Sequence, residues 1–262
     1  MFDNFYSPIP DVEKYLERIG MKLPLKADKE TLDALILAHL RMIPFENLDM
    51  YDVKTDILLD IPSLYDKIVT RRRGGFCFET NALFGQLLKD LGYDWHPVVV
   101  RVLWGPPYLR PLSHRAEVVT IDGVRYYADI GFGGPAAQSS LLLDKEGPQL
   151  SRGRTFTLEK KDGVIVISNG DEKILGVYDN PFEPLDFFPL SEYQSKSKNS
   201  KFTQSRMANL TLEDGSKTLN GNVFKINQGG KSQEQILETE AEIKAVLSEH
   251  FGINVDFPLR MY

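Results

Sequence analysis

Apolar residues in the first third of the chain recur at the helical period. Asp11 to Ile19 carries acids in its first turn and is followed by Gly20, which predicts a short helix. Leu32, Leu35, Ile36, His39 and Ile43 trace one face of a second helix, with Asp28 as its cap and Pro44 as its stop. Leu64 and Ile68 suggest a third. A fourth begins near Cys77, buries Ala82, Leu83, Leu87 and Leu91, and ends at Gly92 in a left-handed cap.

After residue 92 the period falls to two. Val98–Leu103 is β-branched and strand-like. Arg115–Ile121 and Val124–Ile130 flank Asp122-Gly123, a preferred two-residue hairpin turn, and Phe156–Lys161 and Val164–Ile167 flank Asp162-Gly163 in the same way. Ile174–Tyr178 adds a strand, so the middle third reads as an antiparallel sheet or small barrel. The polar, lysine-rich run Ser191–Ser200 reads as a connection between units. Turn signals follow at Asp214-Gly215 and Asn220-Gly221. A last helix starts at the capping box Thr239/Glu242, faces inward with Ile243, Val246, Leu247 and His250, and closes at Gly252. The thirds differ in period, so no internal repeat is present.

Composition narrows the class. A chain of 262 residues, 42% hydrophobic and 26% charged, fits one large domain or two to three small packed ones. This excludes a disordered tail, a collagen-like repeat and a membrane bundle. With 31 basic and 37 acidic residues the net charge is −6, a poor default for nucleic acid. One cysteine forbids an intramolecular disulfide and is compatible with a reducing compartment. The first ten residues have no apolar run and do not read as a signal peptide, and no stretch approaches a membrane span. The expectation is a cytoplasmic protein with no nucleic-acid or membrane partner and no metal site.

The only thiol lies in Arg71-Arg72-Arg73-Gly74-Gly75-Phe76-Cys77-Phe78-Glu79. A lone cysteine is most often a small buried hydrophobe. Cys77 differs in sitting at a helix start, where free N–H groups and the helix dipole favour a thiolate. Two glycines before it allow close backbone approach, and three arginines precede them. Of the four histidines, His39 lies on an apolar helix face, and His96 and His250 suit surface or capping roles. His114 precedes the first strand of the Asp122-Gly123 hairpin. In that hairpin the numbers of facing residues sum to 245, so Ala116 faces Asp129. His114 and Asp129 then become diagonal neighbours on one face, roughly 7–8 Å apart at the backbone. Two readings stay open on this ground: a hydrogen-bonded Asp–imidazole pair serving the thiol, or a polar cross-strand pair on a solvated face.

Several motifs together resemble the arylamine N-acetyltransferases, and in particular their bacterial members. They are Ile43-Pro44-Phe45-Glu46-Asn47-Leu48, Arg72-Arg73-Gly74-Gly75-Phe76-Cys77-Phe78-Glu79, His114, and Ala128-Asp129-Ile130-Gly131-Phe132-Gly133. The likeness covers essentially the whole chain, is strongest from residue 40 to 135 and is weak after about 205. It implies an α+β fold with a cysteine-protease-like core: an N-terminal helical bundle over 1–92, a central antiparallel β-barrel over 93–190, and a linker with a C-terminal α/β lid over 191–262. It also implies a reaction. Cys77, His114 and Asp129 would form the catalytic set, with Cys77 taking the acetyl group of acetyl-CoA as a thioester. An arylamine or hydrazine nitrogen, or the oxygen of an N-hydroxyarylamine, would then receive it in ping-pong fashion. Acetyl-CoA is thus a co-substrate, and no cofactor is permanently bound.

By the same resemblance Arg72 and Glu46 are supporting partners near the site, Phe132 and Phe202 wall the acceptor pocket, and Ser113 and Gly133 adjoin the pantetheine arm. The C-terminus is short, as in bacterial members, so CoA contacts of the mammalian tail do not transfer. Arg115 and Glu117 replace apolar residues of many relatives, on the face opposite the site. Gly131-Phe132-Gly133-Gly134 follows a strand but opens no helix and is not read as a nucleotide loop. Competing readings are an amide synthase of secondary metabolism with the same three residues, a thiol hydrolase of transglutaminase or papain type, and a non-enzymatic binding module.

Overall fold

The computed structural model describes residues 2–105 and 109–261. Helix α1 (Val12–Arg18) is capped by the Asp11 carboxylate, which accepts the Lys14 N–H at 2.9 Å. Helix α2 (Lys29–Met42) is capped in the same way by Asp28 and stops where Ile43 turns extended before Pro44. Two residues later the chain makes the short strand β1 (Phe45–Glu46), and helix α3 (Ile61–Tyr65) follows. Helix α4 (Cys77–Asp90) is the central element. Its period predicts one buried face, yet every residue from Cys77 to Leu88 is buried. The polar residues survive burial because each is bonded. Lys67 donates to Glu79, Thr80 to the Phe76 carbonyl and Gln86 to Asp90, while Asn81 bonds to the strands above.

The middle of the chain forms strands β2 (Asp94–Val102), β3 (Leu112–Ile121), β4 (Val124–Ala128), β5 (Leu141–Leu142), β6 (Gly147–Ser151), β7 (Arg154–Lys161), β8 (Val164–Asn169) and β9 (Glu172–Tyr178). They pair antiparallel in the order β5-β4-β3-β2-β9-β8-β7-β6. The sheet curls almost into a barrel. Across the remaining seam the Gln149 side chain of β6 accepts the Leu142 N–H and donates to the Leu142 carbonyl of β5. The hairpin registers follow their turns. Glu117 faces Ala128 and Val118 faces Tyr127, with Asp122 and Gly123 both at positive φ as the turn demands. Val98, Val100, Ala116, Val118, Phe156, Ile165 and Val177 fill the interior.

The run Ser191–Ser200 is not simply a connection, because helix α5 (Phe187–Lys196) passes through it. Its inner face is Phe187, Ser191, Gln194 and Ser195, small and polar after the first residue, so no apolar period marks it. Strands β10 (Met207–Leu212), β11 (Gly215–Asn220), β12 (Val223–Gln228) and β13 (Lys231–Ile236) then form a second sheet, closed by helix α6 (Glu240–Phe251). Strand β1 pairs with β10, so this sheet takes an edge strand from the N-terminal third. A separate buried cluster, containing Phe76, Cys77, Phe78, Val99, Phe187 and Phe202, joins residues from all three parts of the chain. No helix of the described residues is long and apolar enough to cross a membrane.

Candidate active site

The start of α4 is set by the chain that runs into it. A Cβ on Gly74 would lie 1.9 Å from the Pro44 carbonyl oxygen, so only glycine lets these segments meet. Glu46 N–H donates to the Gly75 carbonyl at 3.1 Å, and the Glu79 carboxylate accepts the Phe76 N–H at 3.1 Å. Beneath this turn lies a buried charge network. Glu46 accepts from Arg73 Nε at 2.9 Å and from the Leu48 N–H at 2.8 Å. Arg73 also donates to Asp49 at 2.9 Å, and Lys67 reaches Asp49 and Glu79, each at 2.7 Å. Burial alone would raise Asp49; the Lys67 and Arg73 charges prevail and hold its pKa at about 2. At Glu79 burial prevails over Lys67 and pushes the pKa up to about 7.

The arginine of this network is Arg73 and not Arg72. Arg72 adopts φ +54° and is exposed, which turns the next side chain, Arg73, inward toward Glu46. Arg73→Gln would take the nearer of two cations from the buried Glu46 and one of two from the half-buried Asp49, leaving Lys67 as their only charge partner, and is expected to cost about 3 kcal/mol. Arg72→Gly removes a side chain from a left-handed position and is expected to change stability by about 1 kcal/mol or less. Urea unfolding midpoints of the two variants check this contrast.

Cys77 is the first residue of α4 and is 3% exposed. Its Sγ lies 3.8 Å from the Ser113 carbonyl oxygen, at the end of β3 that carries His114. His114 Nε2 is 2.7 Å from Asp129 Oδ2, which leaves Nδ1 for the sulfur. Burial opposes charge on the imidazole. The neighbouring Asp129 carboxylate and the Cys77 sulfur outweigh it and push the His114 pKa up to about 10. Asp129 is buried too, yet His114 and its hydrogen-bond donors hold its pKa below the ordinary carboxylate range.

Four donors converge on Asp129. Besides His114 they are Tyr127 OH at 2.8 Å, Asn81 Nδ2 at 3.0 Å and the Gly131 N–H at 2.9 Å. Asn81 also donates to the Arg115 carbonyl and accepts the Ile130 N–H, so it ties α4 to β3 and to the chain just past the end of β4. Gly131 crosses the first turn of α4 so closely that a Cβ would lie 2.8 Å from Cys77 Cα. Tyr127 and Asn81 were missed in the sequence. Each carries a signal: Asn81 stands one helical turn after Cys77, and Tyr127 lies two residues before Asp129, near the end of β4. Arg115 and Glu117 point away from the site and pair with each other at 2.9 Å, both buried. His39 bonds to the Leu35 carbonyl and Tyr15 OH in the helical core.

Cys77 and His114 open onto a cleft of ≈ 670 Å³. Phe132 and Phe202 line it, as do Ser113 and Gly133; Phe45 and Trp104, not singled out in the sequence, supply further wall. Phe132 stands 5.7 Å from the His114 ring and 6.1 Å from Trp104, and Phe202 packs on Phe45 at 5.9 Å. The cleft thus offers a flat aromatic lining beside one sulfur and one imidazole.

Residues 28–260 match the family model described as N-acetyltransferase. An arylamine N-acetyltransferase of Mycobacterium tuberculosis is 33% identical over 255 residues, covering 94% of this chain and 90% of the relative. The chain belongs to the arylamine N-acetyltransferase family. The solved M. tuberculosis family structure superposes with a TM-score of 0.88 at 32% identity, covering 94% of each chain. The Mycobacterium marinum arylamine N-acetyltransferase, solved in complex with CoA, superposes at 0.85 and 29% identity, covering 93% of each. Family membership makes this protein an acetyltransferase.

Proposed function

We propose that the protein transfers an acetyl group from acetyl-CoA, through a Cys77 thioester, to the nitrogen of arylamines or hydrazines or the oxygen of N-hydroxyarylamines. The observation that carries this reading is the buried His114, held by Asp129 and facing the only thiol at the floor of an aromatic cleft. The CoA complex of the M. marinum relative supports acetyl-CoA as the donor.

The chemistry follows in two halves. With the proton on His114, Cys77 acts as a thiolate and attacks the thioester carbonyl. The tetrahedral intermediate collapses with loss of the CoA sulfur, which takes the proton from the imidazolium. An amine then attacks the acetyl-cysteine. His114, now neutral, accepts the amine proton, and Cys77 leaves as thiolate. The Cys77 N–H, first in α4 and so without an acceptor within the helix, is a candidate donor to both oxyanions. Glu46, Asp49, Lys67 and Arg73 hold the turn that carries Cys77 and touch no reacting atom.

The test is to mix the protein with acetyl-CoA and a panel including 4-aminobenzoate and hydralazine. CoA release that requires the amine is expected. Release of CoA at the same rate without any amine would identify a hydrolase, and no release across the panel would reject acetyl transfer to amines.

A further inference from the structure

A second cleft, of ≈ 720 Å³, reaches the turn before Cys77 and shares no lining residue with the catalytic one; Asp49, Lys67, Arg73 and Glu79 line it. Three carboxylates meet two cations there. Arg73 is shared by Glu46 at 2.7 Å and Asp49 at 2.9 Å. Lys67 is shared by Asp49 and Glu79, each at 2.7 Å, with Glu46 at 3.8 Å. The network therefore holds one negative charge more than its cations balance. Glu79 pairs with Lys67 alone, and the excess is felt there: burial raises its pKa to about 7, against the pull of Lys67 and with the help of Asp49 and Glu46. Of the three carboxylates, Glu79 is the one that bonds to the residue before the nucleophile. Its Oε2 accepts the Phe76 N–H at 3.1 Å while Oε1 accepts from Lys67 at 2.7 Å. A Cβ on Gly75 would lie 2.9 Å from Glu79 Cβ and 3.0 Å from Oε2, so the glycine lets this carboxylate lie against the turn.

We propose that ionised Glu79 is a positioning residue for Cys77: its two oxygens hold the Phe76 N–H and the Lys67 ammonium at once, which fixes the first turn of α4 against Ser113 and His114. This inference rests on the acetyl-transfer reading and names what keeps its nucleophile in place. Protonation leaves one good acceptor for two donors, so one of the two bonds is lost. The groups that face Glu79 are Lys67 from the turn 66–70, Asp49 from 49–53, Glu46 from β1 and Arg73 from the segment before α4; Asp56, Arg71 and Asp256 stand around the same cleft. Burial lowers Lys67 and Arg73, but their carboxylate partners outweigh it and keep both charged, and Asp49 stays ionised down to about 2. Glu79 is thus left to take up a proton near neutrality. It does not line the catalytic cleft, so it acts on kcat and not on KM.

Glu79→Gln is the neutral isostere, and it leaves two carboxylates on two cations. The readout is kcat and KM for p-nitrophenyl acetate, with 4-aminobenzoate as acceptor, from about pH 5.5 to 8.5. The native kcat is expected to fall on an acid limb centred near 7. In Glu79→Gln the alkaline plateau should drop roughly tenfold or more at unchanged KM, the scale of a slightly misplaced reacting group, and the limb should vanish. Stability moves the other way. Folded Glu79 binds its proton more tightly than the unfolded chain does, so its contribution is lost as pH climbs from the ordinary carboxylate value to about 7. The native thermal midpoint should therefore fall relative to that of Glu79→Gln over that range, while native activity rises. Glu117, which burial also raises to about 7, packs against Gly85 and is the control: Glu117→Gln should keep the limb. A Glu79→Gln protein with the native plateau and limb overturns the inference, as does one whose lost activity comes with a lowered midpoint and an unmoved limb. A native profile with no limb near 7, or a limb that Glu117→Gln abolishes, overturns it whether or not the Glu79 variant folds. A native protein that transfers no acetyl group at any pH overturns the acetyl-transfer reading instead.

Discussion

Cys77→Ala is expected to abolish acetyl transfer, lowering kcat by roughly 10⁴-fold or more, the scale seen when a covalent nucleophile is removed. The reason is not loss of the fold. The sulfur is one atom in a packed aromatic cluster, and none of the hydrogen bonds or ion pairs of the charge network beneath α4 involves it. Truncating the side chain to a methyl group is expected to cost about 1 kcal/mol, so the variant melts cooperatively within several degrees of the native protein. Two measurements separate chemistry from stability. Intact-mass spectrometry after mixing with acetyl-CoA and no amine should show one added acetyl group on the native chain and none on the variant. Steady-state CoA release should vanish with it. A folded variant that keeps a tenth of the native turnover would remove Cys77 from the role of nucleophile.

The parts of this site that are legible in the sequence are those fixed by local geometry. The Asp122-Gly123 turn sets a register, and that register puts His114 and Asp129 on one face without any knowledge of the rest of the molecule. The start of α4 is likewise local, since Gly74 and Gly75 precede the helical period. What is not legible depends on burial or on segments distant in sequence. Three consecutive arginines carry one chemical message, and only the positive φ of Arg72 decides that Arg73 meets Glu46. Helix α5 escapes because its inner positions after Phe187 are Ser191, Gln194 and Ser195, and β13 because all six of its residues are exposed and show no alternation. The second sheet recruits Phe45–Glu46 across the chain, a pairing that no local pattern encodes. Trp104 joins Phe132 in the cleft wall in the same long-range way.

Asp129→Asn is expected to lower kcat/KM by roughly 10³–10⁴-fold at neutral pH while leaving the fold in place, as the same exchange does in other nucleophile–His–Asp sites. The geometry says why an isosteric amide is not a substitute. Both carboxylate oxygens face donors: Asn81 and the Gly131 N–H on Oδ1, His114 and Tyr127 on Oδ2. An amide has one acceptor and one donor. The Oδ1 position faces a backbone N–H that cannot become an acceptor, so the amide oxygen stays there and the NH₂ turns to His114 and Tyr127. The tyrosine hydroxyl rotates to accept, and His114 Nε2 meets a donor only by giving up its proton. The remaining proton then sits on Nδ1, facing Cys77, and the ring is neutral. The carboxylate that raised the His114 pKa to about 10 is gone, and burial, which lowers it, is left unopposed. The sign of the pH effect follows. In the native protein the imidazolium contributes stability that is full below its ordinary pKa and is lost as pH rises through about 10. Asp129, with its depressed pKa, contributes stability that is present above the ordinary carboxylate value and lost as pH falls through the lowered one. The native thermal midpoint should therefore fall at both ends of this window, whereas the Asp129→Asn midpoint should lose both contributions and vary less with pH between them. The alkaline limb of its kcat/KM profile should also move to lower pH. A variant with native turnover at pH 7 and an unmoved alkaline limb would mean that Asp129 does not govern the protonation of His114.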